Sequence, residues 1–359
     1  MPPNRIVLVG ATGYTGRLVA RELARGDAPF LLTARDGGRL TALAAQLGGA
    51  ATAVVDVRRR ESLDAVLRPG DVVASTAGPF TDLGEPVLLA AIRNGAHYLD
   101  TTGEQDWMHT MERRHGRAAR DAGIAVVHAM AFEYALGDAA AAIAADGLGQ
   151  PLRSVDVLYA GQGSGSRGTR RSVLLILDRA GWIRRDGALS REPTGARRRE
   201  VRLSDGRTRQ AVSFPAGEVL HVPRHVDVRD VTGWIVVGGR LGRLLPPLAP
   251  TLPALVRIAR PLLEWRLRQA DDGPDREQGR RSSFTITVDA VDGDGSRRSV
   301  VVEGRDPYGV TATILVAGAQ EALGGAAPAG YLAPSQLVAP RRLLNALQQH
   351  GVEHLSRAH

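Results

Sequence analysis

Gly10, Gly13 and Gly16 stand three residues apart in Gly10-Ala-Thr-Gly-Tyr-Thr-Gly16, a spacing that suits phosphate chemistry. Glycines let the chain turn tightly and let backbone N–H groups approach a pyrophosphate. A helix beginning there adds a partial positive charge beneath that phosphate. The flanks make the pattern specific. Ile6, Val7, Leu8 and Val9 form an unbroken apolar run, which suits a strand buried on both faces of a parallel sheet. Leu18, Val19 and Leu23 then recur at helical intervals, with Arg17, Arg21 and Glu22 on the other side. Strand, glycine turn and helix come in the order that a dinucleotide fold requires. The cofactor-binding residues predicted here are Gly10, Thr12, Gly13, Tyr14, Thr15 and Gly16.

Two further stretches extend this site. Pro29 to Ala34 reads as a second strand ending at Arg35, where an NAD-specific fold carries an acid for the ribose 2′-hydroxyl. An arginine suits a 2′-phosphate instead, so NADP is the expected cofactor, with Asp36 next door as the competing feature. Asp56, at the end of a third strand (53–57), can accept from the adenine amino group or cap the following helix. A fourth strand, 71–75, runs into Thr76-Ala77-Gly78-Pro79-Phe80, a small-residue loop placed to line the nicotinamide crevice.

These residues need a scaffold, and the chain alternates accordingly. Strands at 95–100 and 123–128 complete six, with helices at 40–47, 61–67, 85–94 and 107–122 between them. Beyond Met130 the texture changes to period-two alternation at 154–159, 284–290 and 299–303, the last two flanking a hairpin turn at Asp292-Gly-Asp-Gly-Ser296. Further strands are predicted at 210–214 and 234–237, and 181–209 reads as the least ordered stretch. The fold class is α/β, an N-terminal Rossmann-type doubly wound parallel sheet with a second, mainly antiparallel α+β domain. The expected domains are 1–130 for NAD(P) binding, 131–307 for substrate, and 308–359 as C-terminal helices (308–323 and 341–349) returning to the first.

Composition narrows the chemistry. The chain has 359 residues and no cysteine, which excludes disulfides and thiolate metal sites. All 46 basic residues are arginine, so a Schiff-base lysine and a Tyr-x-x-x-Lys pair are excluded too. The net charge of +8 is spread over dispersed arginine clusters and aromatics are scarce, which argues against nucleic acid. A basic surface meeting an acidic protein or a phosphorylated substrate remains open. No signal segment or membrane span is read, and the expected location is cytoplasmic. His221 and His225 have ligand-like spacing, but Pro223 lies between them and no third ligand stands out, so no metal is expected. His97 and His128 read as structural histidines beside buried strands. The leucine- and proline-rich stretch 241–267 reads as a subdomain core, or as an apolar wall over an acyl chain.

Four motifs occurring in order then give a resemblance: Gly10 to Gly16, Ser75-Thr-Ala-Gly-Pro-Phe80, Gly84-Glu-Pro-Val87 and His97-Tyr-Leu-Asp-Thr-Thr-Gly-Glu104. The set resembles the saccharopine dehydrogenase-like oxidoreductases, including trans-acting enoyl reductases of lipid and polyketide pathways. Ser166-Arg-Gly-Thr169 is similar to the family's Gly-Thr loop, and Gly330-Tyr-Leu-Ala-Pro334 to its late turn. Ala131-Phe-Glu-Tyr-Ala-Leu-Gly-Asp138 departs from the family's Gly-Phe-Asp pattern, which bears on substrate more than on cofactor.

The resemblance implies hydride transfer from NADPH to C=C of an α,β-unsaturated acyl, polyketide or lipid intermediate, with an acyl carrier protein as an acidic partner. An imine reductase and a non-catalytic NADP-binding redox sensor are the alternatives. Tyr134 is the candidate to protonate or polarise the acceptor, and Glu104 to orient substrate or ribose. Packing for Tyr134 and helix capping for Glu104 stay open beside those roles. Glu133, Gly168 and Thr169 are the candidate substrate-binding residues, the last two equally readable as a plain turn. A homodimer is compatible with all of this.

Overall fold

Short runs of branched apolar residues build the first sheet, because a strand covered on both faces has no polar side to show. In the computed structural model, which describes residues 3–162, 170, 174, 176–203, 206–269, 273 and 276–358, these runs are β1 (Ile6–Val9), β2 (Phe30–Ala34), β4 (Val72–Ser75), β5 (His97–Asp100) and β6 (Ala125–Val127), with β3 (Thr52–Val54) at one edge. Ile6, Val7, Leu8, Leu32, Val72, Tyr98 and Val126 are fully buried. The crossovers are α1 (Tyr14–Leu23), α2 (Gly37–Gln46), α3 (Arg60–Asp64), α4 (Phe80–Asn94) and α5 (Gln105–Asp121), and α6 (Phe132–Ala145) follows β6. Gly95, at φ +63°, closes α4 in the left-handed conformation.

Seven strands make this sheet, one more than expected. The late Gly330–Leu332 segment, read from sequence as a turn, is a strand paired in parallel with β6, Gly330 opposite Ala125. Three residues are too few for a periodic signal, and only its partner makes it a strand. The order from that strand inward is Gly330–Leu332, β6, β5, β4, β1, β2, β3, all parallel.

The chain divides into two compact units. One comprises Met1–Thr102, Trp107–Ala135 and Pro307–Leu343; the other Gly103–Asp106, Leu136–Asp306 and Leu344–His359. The second unit carries β7 (Leu152–Gln162), β8 (Gly181–Arg185), β9 (Ala188–Glu192), β10 (Arg198–Arg202), β11 (Thr208–Phe214), a short helix α7 (Glu218–His221) and β12 (Val228–Val237). Helices α8 (Gly239–Leu248), α9 (Leu252–Gln269) and α10 (Arg276–Arg281) follow, then the hairpin β13 (Ser283–Val291) and β14 (Arg297–Arg305). Back in the first unit, α11 (Pro307–Leu323) packs on α1, and β15 is the Gly330–Leu332 strand already placed. Gly318 on α11 has no room for a side chain, since a Cβ would meet Met130 at 2.4 Å. Helices α12 (Pro334–Leu337) and α13 (Pro340–Gln348) precede β16 (Glu353–Ala358), which pairs with β14.

The second sheet is mixed. Its order is β10-β11-β12-β7-β13-β14-β16, with β8 paired to β12 and β9; β12 and β7 run parallel and the other pairs antiparallel. The stretch 181–209, expected to be the least ordered, holds three strands. Arginine hid them. Arg191 lies 3.7 Å over the Trp182 ring and Arg199 4.4 Å over Trp234, so guanidinium planes cover the sheet where apolar residues would have announced it. His225, considered above as a ligand, is ion-paired with buried Asp138 at 2.7 Å. Burial works against its charged form, but the Asp138 charge and hydrogen bond outweigh that and hold the imidazole above its ordinary value. Nearby, Tyr159 donates to the buried Glu218 carboxylate.

Candidate active site

The glycine turn connects β1 to α1, and Gly10 and Gly16 each have a separate steric reason. Gly10 takes φ +88°, and a Cβ there would lie 3.1 Å from both Thr76 Oγ1 and the Ala77 backbone nitrogen. The turn after β1 therefore sits against the loop after β4. A Cβ at Gly16 would fall 2.1 Å from the Gly10 carbonyl oxygen, so α1 can approach the turn only without a side chain there. Gly13 is open by comparison, its nearest neighbour being the Gly10 oxygen at 3.3 Å, and it stands at the N-cap of α1 with no side-chain cap. Gly13 has no side chain with which to cap α1, whereas α2 is capped by its own N-cap residue: Asp36 accepts from the Arg39 N–H at 3.0 Å. That contrast is what an anion site at α1 requires. Asp36, the acid beside Arg35, is the N-cap of α2.

Positive charge gathers on the same turn. The Thr12 carbonyl accepts from Arg17 Nη1 at 2.8 Å and from Arg39 Nη2 at 3.2 Å. Arg35 is exposed at the end of β2 and, among the described residues, makes no hydrogen bond or ion pair. Sequence reasoning missed Arg17 and Arg39; their places one turn into α1 and at the start of α2 were the available signal. Tyr14 opens α1 and packs edge-on to Tyr308, ring centroids 4.9 Å apart. Thr15 is partly exposed on the first turn. Asp56 accepts the Arg58 N–H at 3.0 Å, so its carboxylate serves the turn after β3.

The turn, uncapped helix and arginines fit NADP. Replacing Arg35 by alanine is expected to weaken NADPH binding about 10- to 100-fold, the value of one or two charge-assisted hydrogen bonds. NADH affinity is expected to hold within about twofold, since its ribose carries no phosphate for the guanidinium. Quenching titrations of both coenzymes check this; equal losses would remove Arg35 from the cofactor site.

After β4, the Thr76 hydroxyl donates toward the Val9 and Gly10 carbonyls at 3.1 and 3.3 Å, which ties Thr76-Ala77-Gly78-Pro79 to the glycine turn. Phe80 is buried and opens α4 against Trp107. At the end of β5, Asp100 is the fully buried centre of a network. Its Oδ2 accepts from Trp107 Nε1 and the Tyr98 hydroxyl at 3.1 Å each and lies 2.7 Å from His128 Nδ1; its Oδ1 accepts the Thr102 and Ala129 N–H groups. Burial favours the neutral acid, but His128 and these donors outweigh it and hold Asp100 below the usual carboxylate range. The network ties the end of β5 to the residues after β6, with His128 meeting Asp100 through Nδ1.

The first turn of α6 follows directly. Tyr134 is buried there, and Glu133 beside it keeps part of its surface exposed. The protein around the Glu133 carboxyl removes enough water to raise it from 4.5 to about 7. A carboxyl raised to about 7 can hold and release a proton near neutral pH. Glu104 is buried and stands immediately before α5, in the Gly103–Asp106 stretch that belongs to the second unit. Gly168 and Thr169 lie outside the described residues.

The parallel sheet, the glycine turn between β1 and α1 and the loop after β4 packed on it make a dinucleotide-binding domain. Residues 6–127, the stretch that holds β1 to β6, match the family described as the saccharopine dehydrogenase NADP binding domain. A trans-acting enoyl reductase of Mycobacterium leprae is 34% identical over 134 residues, 36% of this chain and 32% of that protein. A human saccharopine dehydrogenase-like oxidoreductase is 28% identical over 149 residues, 36% of this chain and 35% of that one. A relative from Mycobacterium tuberculosis matches at 35% over 189 residues, 49% of this chain and 44% of its own length. The chain thus spans less than half the length of the curated relatives it matches. The structure of saccharopine dehydrogenase (L-Glu forming) from Saccharomyces cerevisiae aligns over 99% of this chain and all of its own, with a TM-score of 0.70 at 15% identity, a likeness of fold.

Proposed function

We propose that this protein uses NADPH to reduce the C=C bond of an α,β-unsaturated acyl or polyketide intermediate. The glycine turn, tied to the loop after β4 through Thr76, carries the reading as a coenzyme site, and Glu133, its carboxyl raised to about 7, offers a proton source in the same unit. Mycobacterial relatives named as trans-acting enoyl reductases support the substrate class. Bound NADPH supplies a hydride. Protonated Glu133 delivers its proton to the carbon beside the acyl carbonyl, which takes up the electron pair of the broken C=C bond, and solvent then re-protonates the carboxylate. Tyr134, adjacent on the same helical turn, is assigned to the acyl carbonyl. The glycine turn and Thr76-Ala77-Gly78-Pro79 hold the coenzyme, and Asp100 with His128 keeps the ends of β5 and β6 in place. The net charge of +8 favours delivery of the acyl chain by an acidic carrier protein.

The test follows NADPH oxidation spectroscopically with enoyl thioesters of coenzyme A and of an acyl carrier protein, then with a cyclic imine. Turnover of the thioesters with no turnover of the imine is the expected result. Turnover of the imine alone would replace this reading by C=N reduction. Tight NADPH binding without turnover of any of them would replace it by sensing.

A further inference from the structure

Helix α9 shows apolar side chains on two stripes, and only one is used. Val256 is buried, and Leu252, Ala259, Leu263 and Leu267 are partly so; steps of three and four place all of them on one inner stripe. Leu255, Ile258, Leu262 and Trp265 follow the same steps on a second stripe, and there they are open to solvent: 54%, 80%, 55% and 50% exposed. On α8, Leu244 and Leu248 are also exposed, four residues apart and therefore on one side of that helix. Six large apolar side chains on two consecutive helices depart from the scattered single exposures of an ordinary surface. The leucine-rich stretch is thus not fully absorbed into a subdomain core.

Charge selects among occupants. Residues 239–269 contain six arginines (240, 243, 257, 260, 266 and 268) against a single acid, Glu264. Arg257 and Arg260 share Asp178 at 3.3 and 3.6 Å, while Arg266 is exposed beside Trp265 and without an ion pair among the described residues. A second copy of this chain would bring the same arginine excess against itself. An anionic lipid surface complements both features, taking the apolar stripe into its acyl boundary and the guanidiniums at its headgroups. An exposed tryptophan at the end of the stripe suits that depth.

We propose that the exposed stripe of α9, through Leu255, Ile258, Leu262 and Trp265, docks in plane on an anionic lipid surface. Docking of this kind is independent of which bond the enzyme reduces.

Flotation of the full chain with vesicles tests it, using equal parts phosphatidylglycerol and phosphatidylcholine against phosphatidylcholine alone. The protein is expected to float with the anionic vesicles, less so with the neutral ones, and to lose binding as salt rises. The double variant Ile258→Glu/Leu262→Glu is expected to partition at least about tenfold more weakly for each side chain withdrawn from the lipid. Its melting temperature and NADPH affinity are expected to match the native protein, because both positions are exposed. A native protein that stays behind with anionic vesicles would overturn the proposal, as would a variant that floats equally well. A native dimer in solution that the variant converts to monomer would also overturn it, and assign the face to self-association. None of these readouts requires turnover, so failure here is distinct from failure of the reductase reading.

Discussion

Changing Gly16 to alanine is expected to lower NADPH affinity by more than about 100-fold and to reduce stability by about 1–3 kcal/mol. The reason is local and backbone-bound. An added Cβ would fall 2.1 Å from the Gly10 oxygen, 2.9 Å from its carbon and 3.0 Å from the carbonyl carbon of Ala11, atoms that form the turn itself. No rotamer relieves such a clash, so α1 must withdraw or the turn must reshape, and either displaces the N–H groups intended for the pyrophosphate. Gly13→Ala is the control. Its nearest atom is 3.3 Å away and its φ is −70°, which any residue adopts, so a loss below about tenfold is expected there. Coenzyme titration together with thermal melting measures both. Similar losses at the two positions would mean that the turn tolerates displacement and that phosphate is held elsewhere.

Exchange of Glu133 for glutamine is expected to lower turnover about 10²- to 10⁴-fold while NADPH affinity stays near native, the effect of removing a general acid. In the native enzyme turnover is expected to fall as pH rises through about 7, because the donating form is the protonated one. Stability carries the same signature. The folded carboxyl titrates at about 7 against an ordinary 4.5, so its contribution is complete below the ordinary value and is lost as pH rises through 7. The loss is about 1–3 kcal/mol after allowance for the surface that stays wet. Glu133→Gln is expected to flatten that slope and to be the more stable form above pH 7, read by melting curves across pH. Native turnover and an unchanged pH profile in the variant would move the proton donor elsewhere, with Tyr134→Phe the next substitution.

The cofactor half of the site was legible because its residues are consecutive. A strand of four buried aliphatics, three spaced glycines and a helix can be read from one stretch of chain, and Arg35 lies where a single crossover ends. The role of Asp36 was not legible, since a carboxylate at that place reads the same whether it faces a ribose or an Arg39 N–H. Glu133 was visible as a residue and invisible as an acid, because its tuning comes from burial, which exists only in the folded chain. The Asp100 network failed for the same reason: Tyr98, Trp107 and His128 converge only after β5, α5 and β6 are packed. In the second unit the antiparallel hairpin announced itself by alternation, while β8, β9 and β10 were masked by arginines that do the covering of aliphatics.

The pairing of β15 with β6 has a consequence for biosynthesis. Gly330 pairs with Ala125 only once the segment carrying β7 to β14 has been made, so a growing chain presents β6 as a raw edge while that segment is translated. At about 5–20 residues per second that interval lasts on the order of ten to forty seconds. An aliphatic strand with open N–H and C=O groups is a template for pairing with neighbouring nascent chains. Shielding of that edge before the ribosome reaches Leu332 is the step at which such pairing would be prevented.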